Sequence, residues 1–501
     1  MQTEGTERHN VLLVSLTLII SIIWDYLFFE HQIGVSYPVF AFIGLAFFYW
    51  TWRDKIEFKP SFGWFLLIPI VMLSLAFALY SNMVLAVLNF LLIPFLMICH
   101  TNLITGYSRD WSGIGIIIDV LMRSVVLALT NIRKPIESAL KRFSPNAEED
   151  EMNPALKFGL VGLFFILPLF IIVMSLLSEA DMSFNYYVGK FLESFDFALM
   201  ISQMILILIV FTYVTGYFFS FHKEKPEKEL IEVAKHDYKL NSIIITTLTL
   251  LNIMYLLFSI IQFSHLYGGP QQMPNGIDYV QYVHSGFFQL VWVAVINLSL
   301  ILASMRLVSP VQNFSQRIIK ILCSLMIAFT VNMLFSSAYK MYIYCSTFGL
   351  TYLRSFVWAF IITLFVLLMF TVWKLWYEKL ELVKCYIVIL LIAYVALNYA
   401  NIDVMIAKKN TALYRQTGHM DIYYLATRSY DTMPYVVGLL KDYPELDKKY
   451  SELLKQQSPY EGNYPTLKQH LETEKKSLHR DTSWQAFNRS KYRARKALAD
   501  L

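Results

Sequence analysis

Apolar stretches of about 20 residues recur eleven times through the first four-fifths of this 501-residue chain. A helix needs about that length to cross a ~30 Å hydrocarbon core. Backbone N–H and C=O groups find no water in lipid, so such stretches satisfy themselves as helices. With 56% apolar and only 16% charged residues, the composition is far from that of an average water-soluble domain. The expected fold class is all-α: a polytopic α-helical membrane bundle of about 11 spans, N-terminus in, with a small helical C-terminal domain.

The expected spans are Val11 to Phe29, a second ending near Trp52, Gly63 to Tyr80, Met83 to Cys99, Phe158 to Leu177, Phe197 to Phe219, Ile243 to Phe263, Phe287 to Met305, Ile321 to Ala338, Phe356 to Trp373, and Cys385 to Tyr399. The first has no small-residue cleavage site after it and reads as a retained span. Only Ser81-Asn82 separates the third from the fourth, which forces an antiparallel hairpin.

Charge orients the bundle. Of the 25 Lys and Arg residues before Tyr399, 22 fall in every second loop, and Lys190, Lys340 and Arg354 alone lie in the others. Loops rich in Lys and Arg stay cytoplasmic. The transmembrane domain, 1–400, therefore begins in the cytoplasm, and eleven crossings put the C-terminal domain, 401–501, on the extracytoplasmic side. The eleventh span is short; if it does not cross, the tail is cytoplasmic.

Trp111 to Leu129 is apolar too, but it holds Asp119 and Arg123, and counting it as a span inverts every later loop. Segment 111–145 reads instead as an amphipathic helix in the cytoplasmic interface, or as a cytoplasmic helix packed on the bundle.

The tail carries 17 Lys and Arg against 12 Asp and Glu, which supplies the whole formal charge of +5. Apolar spacing of three and four predicts helices around Asp421 to Leu425, Pro434 to Leu440 and Leu446 to Leu454, with breaks at Pro444 and at Ser458 to Pro465. A last helix is expected with Thr482 or Ser483 as its N-cap. Opposite charges are dispersed through the tail, so nucleic acid is not an expected partner. The lipid bilayer is the certain partner, and Lys475, Lys476, Arg480, Arg489, Lys491, Arg493, Arg495 and Lys496 suit an anionic lipid or an anionic envelope polymer.

Cys99, Cys323, Cys345 and Cys385 lie in or beside spans and imply no disulfide framework. There is no CxxC, HExxH, Walker, dinucleotide-glycine or GxSxG signature. No catalytic residue, metal or cofactor is expected; His265, His284 and Asp278 are too sparse to define a metal site. The candidate sites are polar residues where lipid rejects them. Asn252, Gln262, Gln289, Asn297 and Asn332 are intramembrane amides, read first as interhelical hydrogen bonds. Asp25, Glu179, Asp181, Asp278, Lys340 and Arg354 form an expected outer-face cluster, read as structural ion pairs or as the rim of a polar-ligand cavity. No charge is expected near the middle of a span, which disfavours an ion-coupled pump.

The stretches Leu176 to Asp181 with Phe184, Leu251-Asn252 through Tyr255, Phe258, Gln262 and Tyr267-Gly268-Gly269, and Tyr282 through Leu290 form a pattern. So do Ser337 to Met341 with Tyr344, Gly349-Leu350-Thr351 and Arg354, Asn398 to Asn401, Tyr424-Leu425, Asp431 and Pro434. Together they resemble the bacterial membrane proteins grouped as domain of unknown function 4173, related to 4153. Lys340 stands where that pattern has Arg, which keeps the charge and loses the bidentate fork. The resemblance implies a multi-pass protein of the bacterial plasma membrane and carries no activity with it. A non-enzymatic envelope protein with a sensing, regulatory or assembly role fits these features, and a transporter or lipid-translocating protein is the alternative. An intramembrane enzyme ranks third and requires Asp181, His265, Asp278 and Lys340 to converge.

Overall fold

The computed structural model describes residues 2–108, 110–113, 115–131, 174, 181–193, 197–222, 238–267, 287–307, 313–457 and 464–499. Every regular element among them is helical. Ten of the eleven expected spans fall on helices; the fifth, Phe158 to Leu177, lies outside the described residues except for Met174. Among the described residues, eight helices are long and apolar enough to cross a bilayer, and the apolar part of the first helix, Leu12–Phe28, is at the short end of the spanning range. The protein is an all-α, multi-pass membrane protein.

The chain forms two compact units. The first comprises residues 1–67, 93–226 and 483–487. It holds α1 (Gln2–Phe28), α2 (Ser36–Trp52), the short α3 (Phe62–Phe65), the second half of α5 (Met83–Ile104), α6 (Gly115–Leu121), a π-helical turn (Met122–Leu127), α7 (Ala128–Thr130), α8 (Met182–Glu193) and α9 (Phe197–Phe219). Leu13 and Ile20 of α1 pack with Phe47, Phe48 and Trp52 of α2 and with Phe218 and Phe219 of α9. Between α1 and α9 the hydroxyls of Thr17 and Thr215 share a buried 2.7 Å hydrogen bond. Helix α7 lies so close to α9 that a Cβ on Gly216 would collide with the Ala128 carbonyl.

Segment 115–130 is amphipathic, but with its polarity turned inward. Asp119, Arg123 and Ser124 are buried, whereas Ile117, Ile118, Leu121, Val125, Val126 and Leu129 are exposed. The sequence reads this segment as an amphipathic helix without assigning its faces; the structure puts Arg123 in the interior. Residues 132–145 of the expected amphipathic segment lie outside the described residues.

The second unit comprises residues 68–92, 227–482 and 488–501. Its helices are α4 (Leu67–Leu79), the first half of α5, α10 (Tyr238–Tyr267), α11 (Phe287–Leu307), α12 (Asn313–Phe348), α13 (Tyr352–Trp376) and α14 (Leu382–Tyr399). The tail adds α15 (Ile402–Thr417), α16 (Ile422–Ala426), α17 (Met433–Asp442), α18 (Leu446–Gln457), α19 (Leu467–Leu478) and α20 (Arg489–Ala499). Helix α12 packs against α10, α11 and α13 through Cys323, Met326, Ile327, Met333 and Leu334. The tail has its own core, Ile406, Leu425, Val436, Leu440, Leu446, Leu467, Leu471 and Leu498, which Leu85 at the start of α5 joins.

The tail helices follow their sequence signals. The Asp421 carboxylate accepts from Tyr424 N at 2.8 Å, capping α16, and Pro444 follows the end of α17. The last helix differs: it begins at Arg489, not beside Thr482. Asn488 caps it, its amide oxygen accepting from Ser490 N and Lys491 N at 2.9 and 3.1 Å. Residues 484–487 stay out of the helix because the Gln485 and Phe487 carbonyls accept from Ser36 N and Val35 N at 3.2 and 2.9 Å.

Candidate functional site: polar clamps at the base of the tail

Three membrane elements end beside the tail: the α4–α5 turn, the α12–α13 loop and the C-terminus of α14. The tail satisfies the backbone groups that these ends leave open. At the hairpin tip, the Ser81 amide and hydroxyl both donate to Asp431 Oδ2 at 2.9 Å. Asp431 Oδ1 accepts from Asn401 Nδ2 at 3.0 Å and from the Ser490 hydroxyl. Asn488 Nδ2 donates to the Phe77 and Tyr80 carbonyls, both at 2.8 Å, and the Ser490 hydroxyl contacts the Leu79 carbonyl at 2.9 Å. The last turn of α4 is thus closed by side chains some four hundred residues away.

A second carboxylate lies next to the first. Asp403 is 1% exposed and accepts from Asn82 Nδ2 at 2.9 Å and from the Tyr352 hydroxyl. Asn82 also caps α5, its Oδ1 accepting from Leu85 N at 2.9 Å. Burial pushes the Asp403 carboxyl above the usual carboxylate range, against the hydrogen bonds from Tyr352 and Asn82, which pull it down. At the other loop, Asn410 Oδ1 accepts from Leu350 N at 2.7 Å and its Nδ2 donates to Leu350 O at 3.0 Å. This two-bond clamp holds Gly349 at φ +75°, in the left-handed region that glycine tolerates.

Beneath Asn82, Tyr80, Asn89 and Asn398 help line a cavity of about 20 Å³, room for one water molecule. Asn89 Nδ2 donates to Asn398 Oδ1 at 2.7 Å, and Tyr394 OH donates to Asn89 Oδ1 at 2.8 Å.

Four of the five expected intramembrane amides are partly or fully enclosed between helices. Asn297, fully buried on α11, accepts from Tyr255 OH of α10 at 2.7 Å and donates to Thr330 Oγ1 of α12 at 2.9 Å. Asn252 donates to the Leu322 carbonyl at 3.0 Å and Asn332 to Ser259 Oγ at 3.3 Å. Gln262 is buried, while Gln289 is exposed.

The expected outer-face charges are dispersed over both units. Within the first, Asp25 accepts from Gln203 Nε2. Asp181 accepts from Ser183 N at 2.7 Å and Phe184 N at 3.0 Å, which caps α8 and holds its carboxyl below the usual range. Within the second, Arg354 lies 4.0 Å from the centre of the Tyr344 ring and donates to the Phe348 and Gly349 carbonyls. Lys340 is not in a loop: it is 5% exposed inside α12, eight residues before the helix ends, or ~12 Å along the axis. The sequence reading ends that span at Ala338; the helix runs on to Phe348 and carries Lys340. Glu179, Asp278 and His284, and the side chain of His265, lie outside the described residues.

Sequence reasoning quoted Asp431 only as part of a resemblance and passed over Asp403, Asn82, Asn410 and Asn488. No local periodicity marks them. An Asn before an apolar run, as at Asn82, and the Thr466-x-x-Gln469 capping box that opens α19 are signals that local reading can find.

No curated protein and no solved structure matches the chain. The family described as Domain of unknown function (DUF4153) matches residues 67–439. That range opens at α4 and closes inside α17, so it takes in the hairpin, the α10–α14 bundle, Asp403 and Asp431. It is the related member of the pair to which the sequence pattern pointed, and with nearly three-quarters of its length inside the match, this chain belongs to the DUF4153 family.

Proposed function

We propose that the protein is a non-enzymatic component of the bacterial plasma membrane whose extracytoplasmic tail senses or holds an envelope partner and is coupled to the spans. The carrying observation is the pair of buried carboxylates, Asp431 and Asp403, that tie the tail to the α4–α5 turn and to Tyr352 at the start of α13. A tail bound this way biases the arrangement of the helices beneath it, and the helices bias the tail, by the reciprocity of linked equilibria. The excess of Lys and Arg in alternate loops supports the extracytoplasmic side. Thiol labelling tests the reading: the four native cysteines are replaced and Glu472, exposed on α19, becomes Cys. Labelling by a membrane-impermeant maleimide in intact cells is the expected result. Labelling only after permeabilisation overturns the external role.

Transport is the second reading, favoured by one observation: Lys340 is buried in α12, the helix that also carries Thr330 and Asn332 with their interhelical polar contacts. Buried ionisable groups in spans mark solute paths. Uptake of labelled amino acids, sugars or lipid analogues into proteoliposomes, lost in K340M, would favour it over the first reading.

A further inference from the structure

The Arg123 guanidinium, on the inward face of 115–130, is 2% exposed and lies between two rings, 3.7 Å from the centre of Tyr107 and 4.0 Å from that of Phe221. Its Nη1 donates to Asn102 Oδ1 at 2.9 Å. Its Nε–H has no acceptor, and neither has the Nδ2 of Asn102, which is fully buried. Asp119, one turn earlier, directs Oδ2 to the Ser108 hydroxyl at 2.8 Å. A positive group and a neutral amide thus present surplus donors side by side in a low-dielectric interior. Unsatisfied buried donors are rare because each forfeits its hydration, and a buried cation is costlier still. An oxyanion supplies the acceptor oxygens that both lack, and its charge adds to that of Asp119, which already acts on the guanidinium.

We infer that Arg123 and Asn102 form a binding site for a phosphate-type oxyanion. The ring faces of Tyr107 and Phe221 hold the guanidinium, with Nη1 on the amide oxygen and Nε left as the open donor. The outer face of the same segment, Ile117, Ile118, Leu121, Val125 and Leu129, is apolar and exposed, which suits acyl chains. The headgroup phosphate of an anionic lipid therefore satisfies both faces at once, while free phosphate satisfies only the inner one. This site is independent of the tail and of its sidedness.

The full-length protein is reconstituted in three kinds of nanodisc: phosphatidylcholine alone, phosphatidylcholine with phosphatidylglycerol, and phosphatidylcholine with inorganic phosphate added. Thermal midpoints are read for the wild type, R123Q and N102D. The expected result is a rise with phosphatidylglycerol in the wild type and none in R123Q. Native mass spectrometry should show the retained lipid bound about tenfold more weakly after loss of one charged hydrogen-bonding group. An equal rise with inorganic phosphate identifies the free anion as the source. N102D covers the case in which R123Q does not fold, because its carboxylate supplies the missing charge internally; it should fold and lose the rise. If neither anion raises the wild-type midpoint, or if N102D keeps the full rise, the inference is overturned and the guanidinium serves packing alone.

Discussion

Replacing Asp431 by Asn changes one oxygen into an amide group and leaves nearly everything else in place. In the wild type two carboxylate oxygens take four contacts, from Ser81 N, Ser81 Oγ, Asn401 Nδ2 and Ser490 Oγ. Asn offers one acceptor oxygen, so one pair of these groups then faces an N–H₂. Asp431 is 7% exposed, and water does not readily replace the lost acceptor. Each buried donor left unmatched costs about 1–3 kcal/mol, and a total near 3 kcal/mol raises the population with the tail released about a hundredfold. Limited proteolysis of the tail, run where opening and closing outpace cleavage, reads that population directly. The control is D442N, which breaks the Arg415–Asp442 ion pair at 2.9 Å, where both side chains are half-exposed; such pairs contribute under about 1 kcal/mol. A rise in D431N of less than threefold, or one no larger than in D442N, refutes the claim that this carboxylate holds the tail.

Other outcomes follow from the same geometry. Asp403 has a raised pKa when folded, so the native state binds its proton more tightly than the unfolded chain; its contribution to stability is full below the ordinary carboxylate range and is lost as pH rises through the folded value. Thermal midpoints measured across that window should fall with pH in the wild type, and D403N should flatten the slope. G349A places a Cβ at φ +75° and against Asn410 Oδ1, so its midpoint should drop by more than that of G418A, where the same strain meets no neighbour within 4 Å. G216A forces α9 away from the Ala128 carbonyl and should lower the yield of folded protein in fluorescence-detected size exclusion. N297L removes the partner of Tyr255 OH and Thr330, and a double-mutant cycle with Y255F should show coupling of about 0.5–2 kcal/mol.

Much of this fold is legible from residues alone, for a physical reason: the bilayer fixes span length. The Ser81-Asn82 turn illustrates it, since two residues between apolar runs permit only a hairpin. Two inversions were not legible. Window hydropathy ends a span at the first Lys, yet α12 continues through Lys340 because protein neighbours, not lipid, surround that side chain. An amphipathic pattern does not say which face meets the solvent; in 115–130 Asp119, Arg123 and Ser124 turn inward and Ile117 and Leu121 outward. The clamps were hidden more deeply. Asn488 and Phe77 are 411 residues apart, and no spacing rule reaches that far. The amides Asn252, Asn297 and Asn332 are the simpler case: each meets a partner on another helix, as a polar group in lipid requires.

The closure of α4 by Asn488 and Ser490 bears on biosynthesis. The hairpin leaves the ribosome 411 residues ahead of the groups that finish its end. Until then the Phe77, Leu79 and Tyr80 carbonyls lack these donors, and Asp431 lacks one of its own. A chain that stops short of residue 488 therefore displays an unfinished helix end, with backbone carbonyls open to whatever donors it meets.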